Sequence, residues 1–340
     1  MGRGPARAIA VIGTSIGIGA AVVLVWNEWQ LAWRLGALDE AGRNLVTVAP
    51  ESRDDGGAVG RPLHLVGEAL VPAPIRDPVL GVSVEALRLD RTVETYQWVE
   101  RKEGSGDNKT LRYERIWSPL PIPSERFEQR TLHVNPKTLP LTSASSVAAG
   151  ARIGRFELDE ALLAALPATR EILPEGEAGT LSARGMVFRR SGDWLYGSDP
   201  AAPEVGDVRV RLAAAPTGRI SLIGTIDGSG RRLVPWRAPN GMEVALAAYG
   251  EVAPERLLGA AARGGWQEAW SLRGLGVLGM VAAVMFALPA LAGRFAGNPA
   301  FRGRRRLGTM LLMAAGLAAG VCVAGRIGAR LLLALGVADG

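Results

Sequence analysis

Hydrophobic positions along this chain fall into two kinds of pattern. Three long apolar runs, at 8–26, 274–293 and 307–325, bracket a mixed segment whose apolar residues repeat at strand or helix periods. Each run is close to the ~20 apolar residues a helix needs to cross the ~30 Å hydrocarbon core of a bilayer. The pattern predicts an N-terminal stub and transmembrane helix at 1–26, a β-rich α+β domain at 27–270 and a C-terminal transmembrane region at 271–340. That last region comprises a helix pair, about 274–293 and 307–325, a basic loop at 294–306 and a short tail.

Within the middle segment, Leu31, Leu35, Leu38, Ala41 and Leu45 recur at helical spacing among Glu28, Arg34, Asp39 and Arg43, which predicts an amphipathic helix leaving the membrane. A polar loop follows at 50–60. Leu63, Leu65 and Gly67 open a strand, and the same apolar-x-apolar-x-Gly form returns at 181–185 and 220–224. Five-residue patterns are too short to establish an internal repeat. From 85 to 118, Tyr96 and Trp98 and then Tyr113, Arg115 and Trp117 keep a period of two on either side of a Gly-rich loop at 102–108. This predicts a β-hairpin whose aromatic ladder is cross-strand packing. Asp159 caps a short helix stopped by Pro167, 207–212 alternates as a half-buried strand, and 254–270 reads as a helix with Gly264-Gly265 as a candidate break.

Charge then orients the layout. The chain has 39 Lys+Arg against 33 Asp+Glu, net +6. Ten basic residues and the single acid Asp339 lie outside 27–270, which places +9 on the membrane flanks and −3 on the domain. The excess of basic residues therefore gives no support to nucleic-acid binding. Arg3 and Arg7 precede the first run, and Arg294, Arg302, Arg304, Arg305 and Arg306 separate the second from the third. By the positive-inside rule both stretches stay cytoplasmic and 27–270 lies on the opposite side. The first apolar run is longer than a signal peptide's and lacks a small-x-small cleavage site, so it is expected to remain as an anchor. After the third run, either Arg326 and Arg330 sit at the far interface with their heads in water, or 326–337 contributes to a fourth segment.

Catalytic and metal chemistry find little material. His64 and His133 are the only histidines, and Cys322, the only cysteine, lies in the third run. No metal-ligand spacing, nucleophile elbow or phosphate loop occurs. Glu94 with Glu100, or Glu204 with Asp207, could pair as carboxylates, but the second pair flanks a turn that its Asp and Gly explain. The expectation is no enzyme activity, no cofactor and no metal.

The membrane runs are more informative. Gly13 and Gly17, continued by Ala21, make a small-residue stripe on the first helix, and Gly316 and Gly320, continued by Ala324, make one on the third. Small residues at this spacing let helices approach closely, which predicts self-association or bundling. Trp26, Trp29, Trp266 and Trp270 crowd the membrane junctions, as interfacial indoles do.

Several segments resemble the transmembrane protein 43 family, also called LUMA. They are Asn27-Glu28, 49–51, 63–67, 96–100 (Tyr-Gln-Trp-Val-Glu), Asn135-Pro136, 153–156, Arg189-Arg190, Gly192-Asp193 and 203–210, in family order. The resemblance implies one N-terminal membrane helix, a large luminal or extracytoplasmic domain and a C-terminal membrane cluster. It also implies a role in membrane organisation, and it supplies no catalytic residues. Animal members sit in the endoplasmic reticulum and inner nuclear membrane; the Ala/Arg/Gly-rich composition here suggests a bacterial chain, with 27–270 in the periplasm of the inner membrane. The family ends with a further membrane helix that 331–340 is too short to supply.

These readings converge on a non-enzymatic scaffold that organises membrane through its exported domain and self-associating helices. Its expected partners are the lipid bilayer, further copies of itself and membrane or periplasmic proteins. A channel or transporter component is the first alternative, and an enzyme on periplasmic or lipid substrates the second.

Overall fold

The computed structural model describes residues 3–52, 57–103, 110–171, 180–183, 185–295 and 305–334. Parts of the expected loops at 50–60, 102–108 and 294–306, and the tail beyond 334, lie outside the described residues. Helices α1 (Arg3–Asn44), α2 (Glu160–Ala164), α3 (Pro254–Phe295) and α4 (Arg305–Ala334) accompany two larger β-sheets. Three stretches, Val11–Asn44, Pro254–Phe286 and Met313–Leu331, are long and apolar enough to cross a membrane.

The two long helices do not stop where their apolar runs stop. The first apolar run and the amphipathic stretch behind it form one continuous helix, α1, and α3 runs unbroken through Gly264-Gly265. They lie antiparallel and in register. Gly279 faces Ala20, Gly276 faces Leu24, Gly265 faces Arg34 and Gly42 faces Leu258. At Gly276 a Cβ would come within 2.4 Å of Leu24 Cδ2, so only glycine permits this approach. Helix α4 runs parallel to α1, with Gly325 against Val25 and Gly328 near Trp29. Leu24, Met280, Ala314 and Ala318 form the buried centre of the three-helix bundle.

Beyond the bundle, α1 and α3 reach into the domain. Ala37, Leu38 and Ala41 of α1 and Leu257 of α3 pack with Trp236, Ala238 and Val244. Asn240 Nδ2 donates to the Trp33 carbonyl at 2.8 Å, and His64 Nε2 bonds the Val252 carbonyl at 3.0 Å. The domain is thus built onto the helices that carry it, with no linker between the two.

In the first sheet, strand β1 (Leu63–Leu70) pairs antiparallel with Gly218–Ile226, and both also join a path through Arg152–Ile153, Phe156–Leu158 and Arg232–Val234. These pairings close a ring of five strands. Across the pairing of 63–70 with 218–226, Leu63 stands opposite Gly224, Leu65 opposite Leu222 and Gly67 opposite Ile220. Gly67 has no room for a side chain, because a Cβ there would lie 2.3 Å from Ile153 Cγ2. Two of the three apolar-x-apolar-x-Gly segments are therefore neighbouring strands, each setting its glycine opposite a large residue of the other. The third belongs to the other sheet, where Gly185 has a positive φ of 78° in a turn.

The second sheet contains the expected hairpin. Strand β2 (Ala86–Glu103) pairs with β3 (Thr110–Ser118), placing Tyr96 opposite Trp117, Trp98 opposite Arg115 and Glu100 opposite Tyr113. Strand β4 (Val208–Pro216) flanks β2 on its other side. One face of β2 sends Leu87, Leu89 and Val93 into the main core with Phe156, Phe188 and Leu212. The expected short helix is α2, and the Asp159 carboxylate accepts from Ala161 N at 3.0 Å as its N-cap.

Candidate functional site

Ionisable side chains gather at one level of the bundle. Glu28 follows the first apolar run, Arg273 precedes the second and Arg326 ends the third. Arg273 Nε and Nη2 donate to Glu28 Oε1 and Oε2 at 2.6 and 2.9 Å. Arg326 Nε and Nη2 donate to Glu28 Oε2 at 3.1 and 3.0 Å. Glu28 is completely buried, Arg273 is buried, and the Arg326 side chain remains 39% exposed. Indole rings cover both guanidinia: Arg273 lies 4.7 Å from the Trp270 centroid and 5.4 Å from that of Trp266, and Arg326 lies 5.4 Å from Trp266.

Arginine suits this position because its planar fork can grip a carboxylate bidentately and still stack on an aromatic face. A lone buried carboxylate would be costly, so charges at membrane depth pair with one another and face the bundle interior. One carboxylate against two guanidinia leaves the cluster with surplus positive charge. With both carboxylate oxygens occupied, its direct consequence is to tie α1, α3 and α4 together at a common height. Sequence patterning placed Glu28 on the polar side of an amphipathic helix and missed this pairing. The available signal was one ionisable residue at the same end of each apolar run.

The small-residue stripes separate. Gly13 is buried, and a Cβ at Gly17 would lie 3.2 Å from Ala283, so the first stripe packs within the bundle. Gly316 and Gly320 are exposed, and a Cβ at either would meet nothing within 4 Å, while Ala314 and Ala318 take the inward face. Trp26, Trp29 and Trp270 are exposed and Trp266 is half-buried beneath the two arginines. Arg302 and Arg304 lie outside the described residues, and Arg305 and Arg306 begin α4.

The domain's candidate acids are engaged structurally. Arg209 Nε donates to Glu94 Oε2 at 2.8 Å. Glu100 Oε2 accepts from the Tyr113 hydroxyl and from Glu128 N, both at 2.6 Å. The Tyr113 bond holds the Glu100 carboxyl below its ordinary range. His133 stacks on Tyr113 with centroids 3.6 Å apart. Asp207 Oδ2 accepts from Glu204 N at 2.7 Å, as a turn residue does. Among the described residues no group of three or more His, Cys, Asp or Glu side chains is placed to hold a metal.

Fold and cluster together define a membrane protein in which a β-rich domain is built onto a bundle of three apolar helices. The chain belongs to the transmembrane protein 43 family, whose family model matches residues 95–328. It is 30% identical to the transmembrane protein 43 homolog of Drosophila melanogaster, over 79% of this chain and 74% of that protein. It is 28% identical to transmembrane protein 43 of Mus musculus and of Homo sapiens, over 69% of this chain and 60% of each of those proteins. The chain thus spans less than two thirds of the mammalian proteins. No solved structure matches.

Several of the segments that carried the resemblance have a structural role. Gln97 is completely buried, its Oε1 accepting from Ile122 N at 2.9 Å and its Nε2 donating to the Leu120 carbonyl at 3.0 Å. Asn135 Oδ1 accepts from Trp98 N at 2.7 Å, and its Nδ2 donates to the carbonyls of Trp98 and Ile122 at 2.9 and 3.0 Å. These two amides fasten the 119–136 connection to the hairpin.

Proposed function

We propose that this protein is a non-enzymatic membrane scaffold that presents its β-rich domain from an anchor able to self-associate through α4. The observation that carries this reading is the outward stripe at Gly316 and Gly320, which offers a close-approach surface that the bundle leaves unused. In the other stripe Gly17 packs against Ala283 of α3 and Gly13 is buried, which directs the self-association to α4. The Arg-rich ends of the apolar runs favour a cytoplasmic N-terminus and 294–306 loop, with the domain on the opposite face, the periplasm in a bacterial inner membrane.

Crosslinking of the membrane-embedded chain tests the proposal. Gly316→Leu together with Gly320→Leu should abolish crosslinked oligomers while monomer stability is kept. Oligomers of unchanged size would refute assembly through this stripe. Protease added outside sealed spheroplasts should cut the domain, and protection would reverse the orientation. A channel component is the second reading, and the charged cluster at the bundle's edge is what favours it. An ion flux through proteoliposomes above that of empty vesicles would put that reading first.

A further inference from the structure

We propose that a cavity between α1, α3 and α4 binds the phosphate headgroup of a phospholipid from the domain-side leaflet, with preference for an anionic lipid. The cavity measures about 330 Å³ and is lined by Leu31, Ala32 and Leu35 of α1, Trp266 of α3, and Arg326 and Arg330 of α4. Glu28 and Asp39 also line it. This volume lies in the range of small-molecule sites.

Depth points to a lipid. The three apolar runs end together at the level of Glu28, Arg273 and Arg326, which marks the edge of the hydrocarbon core. From Glu28 the cavity rises along α1 toward Asp39. At 1.5 Å per residue that is on the order of 15 Å, enough to cross the headgroup layer of one leaflet. An apolar wall of leucines and an indole faces the guanidinia, so a molecule bound there meets hydrocarbon and cation at once. Inorganic phosphate would use only the cations.

Charge favours an anion. The Glu28 carboxylate is shared by Arg273 and Arg326, and at the other end Arg43 is shared by Asp39 at 2.9 Å and Glu40 at 3.0 Å. Arg330 is exposed, lies one turn beyond Arg326 and makes no ion pair among the described residues. The positive surplus therefore sits at the Glu28 end of the cavity, where Arg326 and Arg330, with Arg273 behind them, meet a single carboxylate. Basic pockets between membrane helices recognise lipid headgroups in this way. The inference is independent of the scaffold reading, since a monomer contains the complete site.

Arg330 is the residue to test, because Arg326 also holds Glu28. The full-length chain would be delipidated in detergent and titrated with phosphatidylglycerol or with phosphatidylcholine of the same acyl chains, and bound lipid counted by native mass spectrometry. Phosphatidylglycerol should be retained in preference, Arg330→Gln should weaken its retention about fivefold, and Arg330→Lys should keep most of it. Arg219→Gln, on the domain surface, should change nothing, and thermal melts would establish that each variant is folded. A photoactivatable phosphatidylglycerol should label 31–36 and 326–330 of the unmodified chain. Equal retention of the two lipids, unchanged retention by folded Arg330→Gln, or labelling confined to other segments would overturn the proposal. Displacement of the lipid by inorganic phosphate alone would also overturn it, by identifying a free-anion site.

Discussion

Arg273 grips both oxygens of Glu28 from 245 positions away in the chain, so the C-terminal membrane region is tied to the first helix at one buried carboxylate. Arg326 completes the arrangement from α4. Replacing Glu28 by Gln would leave two guanidinia facing a neutral amide, one of them buried. Removing one partner of a buried pair costs about 3–5 kcal/mol. Thermal unfolding in detergent should show a large loss for Glu28→Gln and Arg273→Gln, and a smaller one for the half-exposed Arg326→Gln. Equal melting of all four proteins would mean that the cluster does not hold the bundle.

Helix glycines should divide by position. Gly276→Leu drives a side chain into Leu24 and should destabilise the folded monomer by about 1–3 kcal/mol. Gly316→Leu meets open space and should leave monomer unfolding unchanged. Denaturant titration in mixed micelles checks both, and a similar cost at the two sites would contradict the close packing of α1 on α3.

Asn135→Ala would remove three hydrogen bonds at a buried position and leave the Trp98 amide without its acceptor. An unsatisfied buried group costs about 1–3 kcal/mol. Limited proteolysis should show new cleavage within 119–136 while the rest of the domain resists. Cleavage identical to the parent protein would show that the connection is held by other contacts.

His64 supplies a pH dependence. Burial pushes its imidazole below the usual histidine range, against smaller opposing effects from the Val252 carbonyl and Glu255. The unfolded chain therefore takes up a proton at higher pH than the folded one. Stability is fully present above the unfolded value of about 6.5 and falls as pH drops through it toward the lowered folded value. His64→Gln keeps a side-chain donor and removes the titration. The parent protein should lose more melting temperature between neutral and mildly acidic pH than His64→Gln does, and parallel curves would dismiss the effect.

Legibility in the sequence differs element by element. The hairpin was visible because Tyr96, Trp98, Tyr113 and Trp117 alternate at a period of two, a local property of each strand. Asp159 signalled α2 because an N-cap acts on a backbone amide two residues away. The five-strand ring was not visible, since its pairing of Phe156–Leu158 with Arg232–Val234 joins segments with no shared local pattern. The look-alike segments 63–67 and 220–224 are paired with each other, and only the register reveals that. The charged cluster escaped notice because an ion pair leaves no periodicity in the residues that make it.

Local patterning thus determined the three apolar helices and the β-rich character of the domain. These depend on residue spacing and on the length of apolar runs, which fold-independent physics reads directly. Tertiary structure decided which glycine stripe is used up and which faces outward, because two helices of similar composition differ only in what packs against them. It also decided that Glu28 is buried between two arginines, where chain positions 28, 273 and 326 meet at one depth. Burial and pairing depend on neighbours brought together by folding, and no single segment of the chain encodes them.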